Sequence, residues 1–231
     1  MPPPASQPRR ERSRGPSRDR SPKAGVRQAR AALYRGLVLE AAERVFAENG
    51  FENTKMQEIA AAAGLSLGTV YGVFPGKWEL YRAVHEARLD AMQARAEEAG
   101  ADGAGTLARL LDGIAGYVGF LAEHPDFLRI HLRDGGAWGV RSTLAGGETL
   151  EAWTRGQAVQ VDLLRRGIVE KVFFDEDPEL LSRTITAMQQ VQLAAWVERG
   201  MREPVGDLVR RMQTQLVRAF VRPEAARSAL G

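Results

Sequence analysis

Apolar residues recur along most of this chain at the three-and-four spacing of an α-helix face, and no stretch alternates as a half-buried strand would. From about Arg27 the pattern is helical: Leu39, Ala42 and Phe46, with Val38 and Val45 beside them, form one stripe that Asn49-Gly50 stops. Thr54-Lys55-Met56-Gln57 reads as a capping box opening a second helix over about 54–63. Gly64 ends that helix, and Ser66 is placed to cap a short third one over about 67–74. Pro75-Gly76 punctuates, and longer helices follow at about 77–99, 105–123, 126–133, 148–167, 177–200 and 204–221. The fold class is all-α, with a small three-helix head and a larger helical body. The boundaries expected are a disordered basic tail at 1–26, a head at 27–76 and a body at 77–231.

Composition narrows the function. The chain has 231 residues, 44% hydrophobic and 26% charged, as ordinary globular proteins have. Without cysteine it has no disulfide, thiolate metal site or cysteine nucleophile. No apolar run approaches the roughly 18 residues of a membrane span, and the basic N-terminus lacks the apolar stretch of a secretory signal, so a cytoplasmic protein without a membrane partner is expected. The net charge of +3 is unevenly placed. Nine lysines and arginines among residues 1–30 face only Glu11 and Asp19, whereas residues 31–90 hold six cations against eight anions. An acidic head behind a basic tail points to an anionic partner, nucleic acid before membrane.

Three short helices with a glycine-containing turn between the second and third make a helix-turn-helix. Ile59 and the alanines from Ala60 to Ala63 let the third helix cross closely, while Leu65, Val70 and Phe74 point inward. Leu67, Gly68, Thr69, Tyr71 and Gly72 are left outward, where a recognition helix meets the major groove. The N-terminal ends of helices two and three, with Lys55 and Lys77 nearby, are expected to hold phosphates. Residues 38–80 resemble the TetR family of bacterial regulators: Phe46-Ala47-Glu48, Gly50-Phe51, Ile59-Ala60, Ala63-Gly64, Ser66, Gly68-Thr69, Tyr71, Phe74 and Lys77 follow its pattern in order. The resemblance covers only the head. It implies that Thr54, Tyr71 and Lys77 contact phosphates, and that Leu67, Thr69 and Gly72 face bases. It also implies a ligand-responsive repressor that binds a two-half-site operator as a homodimer and releases it on effector binding. Gly72, Val73 and Trp78 depart from the pattern, leaving few hydrogen-bonding groups for base readout beyond Thr69 and Tyr71.

Other patterns receive plainer readings. Gly64-Leu65-Ser66-Leu67-Gly68 fits the G-x-S-x-G elbow of hydrolases, but that elbow follows a strand and this one follows an alanine-rich helix, so Ser66 is read as a cap. His124 and His131, with Glu123 and Asp126 nearby, lack a tight ligand cluster and are read as surface or pocket histidines. Gly113, Gly116 and Gly119 recur every three residues, which suits close helix packing or space for a ligand near Tyr117, Phe120, Phe127, Trp153, Met188 and Gln192. The last two helices, with Leu180, Leu181, Ile185, Met188, Val191 and Trp196, then Leu208, Val209, Met212, Leu216 and Phe220, carry more apolar surface than one small body needs; the resemblance implies a four-helix dimer interface, with burial inside the chain taking about half of these side chains. No catalytic residue, metal ligand or cofactor is expected. The rival reading is a non-specific nucleic-acid-binding protein acting through its basic tail.

Overall fold

A computed structural model describes residues 22–101, 103–134 and 151–230, with side chains from 25 to 227 apart from those at 102 and 134–153. Residues 1–21 of the expected tail and most of the expected loop after residue 134 lie outside the described residues. The helices run α1 Pro22–Asn53, α2 Met56–Ala62, α3 Leu67–Val73, α4 Lys77–Ala101, α5 Thr106–Glu123, α6 Pro125–Asp134, α7 Glu151–Val169, α8 Pro178–Glu198, α9 Val205–Phe220 and α10 Pro223–Leu230. Among the described residues the only extended pairing is the bridge Phe173–Val221.

The expected breaks follow local chemistry. At Gly50 the backbone turns to φ 77°, which interrupts α1 and sends Phe51 back towards Phe46. Gly64, at φ 66°, closes α2 with a Schellman motif: Leu65 N–H reaches the Ala60 carbonyl at 3.0 Å and Gly64 N–H that of Ala61 at 3.1 Å. Asp177 caps α8 by accepting the Leu180 N–H at 2.7 Å, with Pro178 in the first helical position.

Three differences stand out. Helix α1 reaches back to Pro22, so residues 22–26 are helical rather than part of a disordered tail. The cap of α2 falls on Lys55, one residue later than expected. The Glu58 carboxylate accepts the Lys55 N–H at 3.0 Å, and a lysine offers no acceptor for the reciprocal half of a capping box. The short α10, opened by Pro223, was not anticipated.

The body is organised around α4 and α5, an antiparallel pair packed along its length, with α7 crossing both and α8 and α9 closing the bundle. Helix α6 lies against α1, so the body grips the head by its longest element. One core runs through both parts, from Val38, Phe46 and Val70 through Leu80 and Phe127 to Ile185, Leu193 and Met212.

Candidate functional site

The head presents α3 on a rigid base. Val70 and Phe74 are buried beneath it, and Leu65, Leu67 and Val73 are half-buried against the same core. The Ser66 side chain accepts the Thr69 N–H at 3.2 Å and bonds the Thr69 hydroxyl at 2.8 Å, which fixes the first turn and confirms a capping serine. Outward stand Gly68, Tyr71 (47% exposed) and Gly72, with Thr69 half-buried at their edge. A Cβ at Gly72 would meet nothing within 4 Å, so the backbone there stands open to a close-approaching partner. Leu67 is less available than expected, being packed partly against the core.

Two residues expected on phosphates are engaged elsewhere. Thr54 is buried, and its hydroxyl donates to the Gly50 carbonyl at 2.7 Å. The Lys77 ammonium donates to the carbonyls of Phe51 at 2.6 Å, Thr54 at 3.0 Å and Glu52 at 3.2 Å, with its charge 4.5 Å from the Phe51 ring centre. Three donors meet three acceptors, so Lys77 closes the C-terminal end of α1 and positions α4. Trp78, a departure from the family pattern, packs edge-on against Phe51 at 5.9 Å. Lys55 remains exposed.

The first turns of α1 stand beside the outward face of α3. Val26, Arg27, Arg30, Ala31 and Tyr34 form one wall of a groove whose other wall is Thr69, Gly72 and Val73. Arg30 lies over the Tyr34 ring at 5.2 Å, and Arg35 over the Phe74 ring at 4.4 Å. These cations were counted in the sequence only as charge; their i, i+3, i+7 spacing with Tyr34 was the signal that one helix face gathers them.

In the body a cavity of 330 Å³ lies between α4, α5, α7 and α8. Leu89, Met92, Leu110, Ile114 and Leu163 make it largely apolar, and Gly113 and Gly156 leave it room. Of the five residues expected around a ligand whose side chains are described, Tyr117 alone lines it. Phe120 is buried and stacks on His124, and Phe127 is wholly buried between the rings of His85 and His131. Gln192 is bonded to Gln215 on α9, and Met188 is half-buried against the core. The side chain of Trp153 lies outside the described residues. On α8 the cavity is lined instead by Thr186 and Gln189. The glycine series divides: a Cβ at Gly116 would stand 2.8 Å from the Arg95 carbonyl oxygen, Gly113 lines the cavity, and Gly119 faces open space.

Tyr117 joins the cavity to α6. Gln190 Nε2 donates to its hydroxyl at 2.7 Å, and that hydroxyl lies 3.2 Å from His131 Nε2. Burial pushes the Tyr117 phenol up, and burial together with the nearby His85 holds His131 well below the usual histidine range. The phenol and the imidazole therefore meet as two neutral groups. Two residues on, Arg133 crosses to the head and donates to the Phe46 and Ala47 carbonyls at 2.8 and 2.9 Å. The half-buried pair Arg88–Glu43, at 2.7 Å, ties α4 to α1 nearby.

Residues 38–84 match the family model of bacterial regulatory proteins of the tetR family, so the head of this chain is similar to the helix-turn-helix of those regulators. An uncharacterized HTH-type transcriptional regulator of Bacillus subtilis (strain 168), YhgD, is 36% identical over 63 residues; the match covers 27% of this chain and a third of that relative's length. The whole fold is similar to that of the ketosteroid transcriptional regulator KstR2 of Mycobacterium tuberculosis, with a TM-score of 0.66, 24% identity and coverage of 81% of this chain and 95% of the other. It is similar also to the transcriptional regulator FadR of Bacillus subtilis, solved with stearoyl-CoA, with a TM-score of 0.65, 20% identity and coverage of 78% and 96%.

Proposed function

We propose that this protein is a ligand-responsive transcriptional repressor. It binds a two-half-site operator as a homodimer and releases it when a small molecule fills the cavity between α4, α5, α7 and α8. The observation that carries the reading is continuity. The cavity wall includes Tyr117, Tyr117 holds His131 on α6, and Arg133 on the same helix grips α1 at the base of the head. A ligand that displaces Tyr117 moves the latch that sets the angle of the head, and its differential affinity for the two arrangements sets how much operator affinity is lost. On DNA, Thr69, Tyr71 and Gly72 face the major groove, while Lys55, Arg27 and Arg30 meet the flanking phosphates. The regulators FadR and KstR2 share the fold, and the former was solved with an acyl-CoA, which fits a body built to enclose a largely apolar ligand.

The test is to select fragments from the source genome with the full-length protein and compare their affinity with random DNA at fixed salt. Selected fragments carrying an inverted repeat, bound at least about a thousandfold more tightly than random DNA, are expected. Equal affinity for both would leave the Arg-rich residues 1–21 and non-specific binding as the better account.

A further inference from the structure

The cavity has two unlike ends. Gly156 lies beside Gln93, Arg155 pairs with Asp90, and Gly167 lies beside Thr106, so α7 runs alongside α4 and brings Arg166 to the start of α5, where Arg109 stands. At the opposite end Tyr117 is bonded to Gln190, which places Gln189 there. Between them the wall is apolar, and the lining positions on α4 run from Leu89 to Ala101, about 18 Å at 1.5 Å per residue.

Each end holds polar groups that the chain itself leaves available. Gln189 is 4% exposed, yet its Nε2 has no hydrogen-bond partner among the described residues. A buried amide N–H without an acceptor is unfavourable, and one lining a cavity is matched by a ligand oxygen. At the other end Arg109 and Arg166 bond only the backbone carbonyls of Gly103 and Asp162, and neither forms an ion pair among the described residues. The carboxylate among the lining residues, Glu97, already accepts from Gln93 Nε2 at 2.8 Å, and Glu170, one turn on from Arg166, accepts from the Thr106 hydroxyl. Two guanidiniums that form no ion pair among the described residues favour an anion.

We infer that the ligand of this cavity is an elongated apolar acid: a carboxylate held by Arg109 and Arg166, a hydrocarbon body, and an oxygen near the far end that accepts from Gln189. The inference rests on the sensing role proposed above for the same cavity.

Calorimetric titration of the full-length protein with dodecanoate, dodecan-1-ol and 12-hydroxydodecanoate, all below their aggregation concentrations, tests it. Dodecanoate should bind about tenfold or more tightly than the alcohol, and 12-hydroxydodecanoate several-fold tighter again. The double variant R109Q/R166Q should lose the preference for acid over alcohol. Gln189→Leu should lose only the gain from the terminal hydroxyl, and its melting temperature without ligand should equal or exceed the native one, because an orphaned amide has been removed. Equal binding of acid and alcohol by the native chain, or a preference that survives R109Q/R166Q, overturns the ligand class. Gel shifts on the selected DNA, run on the same preparations, separate the two readings. Operator preference without acid binding overturns only this inference; acid binding without operator preference supports it and overturns the repressor.

Discussion

Lys77 and Tyr71 both match the family pattern, yet their surroundings are opposite. Lys77 has all three ammonium hydrogens on carbonyls at the end of α1, whereas Tyr71 stands 47% exposed on the outer face of α3. Lys77→Ala should therefore lower stability by about 1–3 kcal/mol, since three carbonyls lose a charged donor. Tyr71→Ala should change stability by less than about 0.5 kcal/mol while weakening operator binding. Urea denaturation beside gel-shift titration checks both, and an equal stability loss in the two variants would contradict the assignment. The sequence showed the residue types at Thr54 and Lys77, but not that the open carbonyls of α1 would claim them before any phosphate could. His131 has a different consequence. Its pKa in the folded chain lies well below 6.5 and its unfolded value is near 6.5, so the unfolded chain binds the extra proton between those two values. The stability it contributes is complete above pH 6.5 and is lost as pH falls towards the lowered pKa, by up to about 1.4 kcal/mol per pH unit. Melting temperatures between pH 7.5 and 5.5 should show the loss, and His131→Gln, which can still hydrogen-bond Tyr117, should flatten the slope.

At the scale of elements, periodicity and punctuation made most of the fold legible. The stop at Gly50, the turn at Gly64, the cap at Ser66 and the break at Gly200 all act through a backbone conformation or a short side-chain bond, and a local sequence carries such information. The first turn of α1 was missed because the composition of residues 1–26 argues for a tail, and α10 was missed because eight residues carry too short a periodic pattern to register. The cavity was harder still. Phe120, Phe127 and Tyr117 look alike in sequence, and only the crossing of α4 and α5 decides which of them meets empty space. The glycines of α5 give a matched test of that crossing. A Cβ at Gly116 would meet the Arg95 carbonyl oxygen at 2.8 Å and the Ala99 Cβ at 2.9 Å, so Gly116→Ala forces the two helices apart and should cost about 1–3 kcal/mol. Gly119 meets nothing within 4 Å, so Gly119→Ala should instead stabilise by up to about 1 kcal/mol through helix propensity. Thermal melts of the two variants should move in opposite directions, and a shared direction would place the helix contact elsewhere.

For the molecule as a whole, the decisive surface is the one the monomer leaves uncovered. About half of the apolar residues of α8 and α9 were expected to serve a partner and the rest to be buried in the chain; Leu181, Ile185, Trp196, Leu208, Met212 and Leu216 are the buried ones. Charging Met212 or Leu216 would therefore unfold the body and say nothing about assembly. What stays outside is a stripe on α8: Leu180 at 60% and Val191 at 70% exposure, with Thr184 between them and Ala187 and Ala194 half-buried on the same face. Positions 180, 184, 187, 191 and 194 follow the i, i+4, i+7, i+11, i+14 register of one helical face, on the opposite side of α8 from its buried residues. In a twofold dimer such a face meets its own copy, so one substitution is introduced twice and sets like charges against each other. Val191→Glu should fold with unchanged helix content, because the position contributes little to the monomer core. It should sediment as a monomer at micromolar concentration, where the native chain is expected to sediment as a dimer. Its affinity for a single half-site should be kept and its affinity for the paired operator lost, since a monomer gains nothing from the second half-site. A Val191→Glu chain that still sediments as a dimer would remove α8 from the interface, and a native chain that is monomeric yet binds the paired operator tightly would remove the dimer altogether.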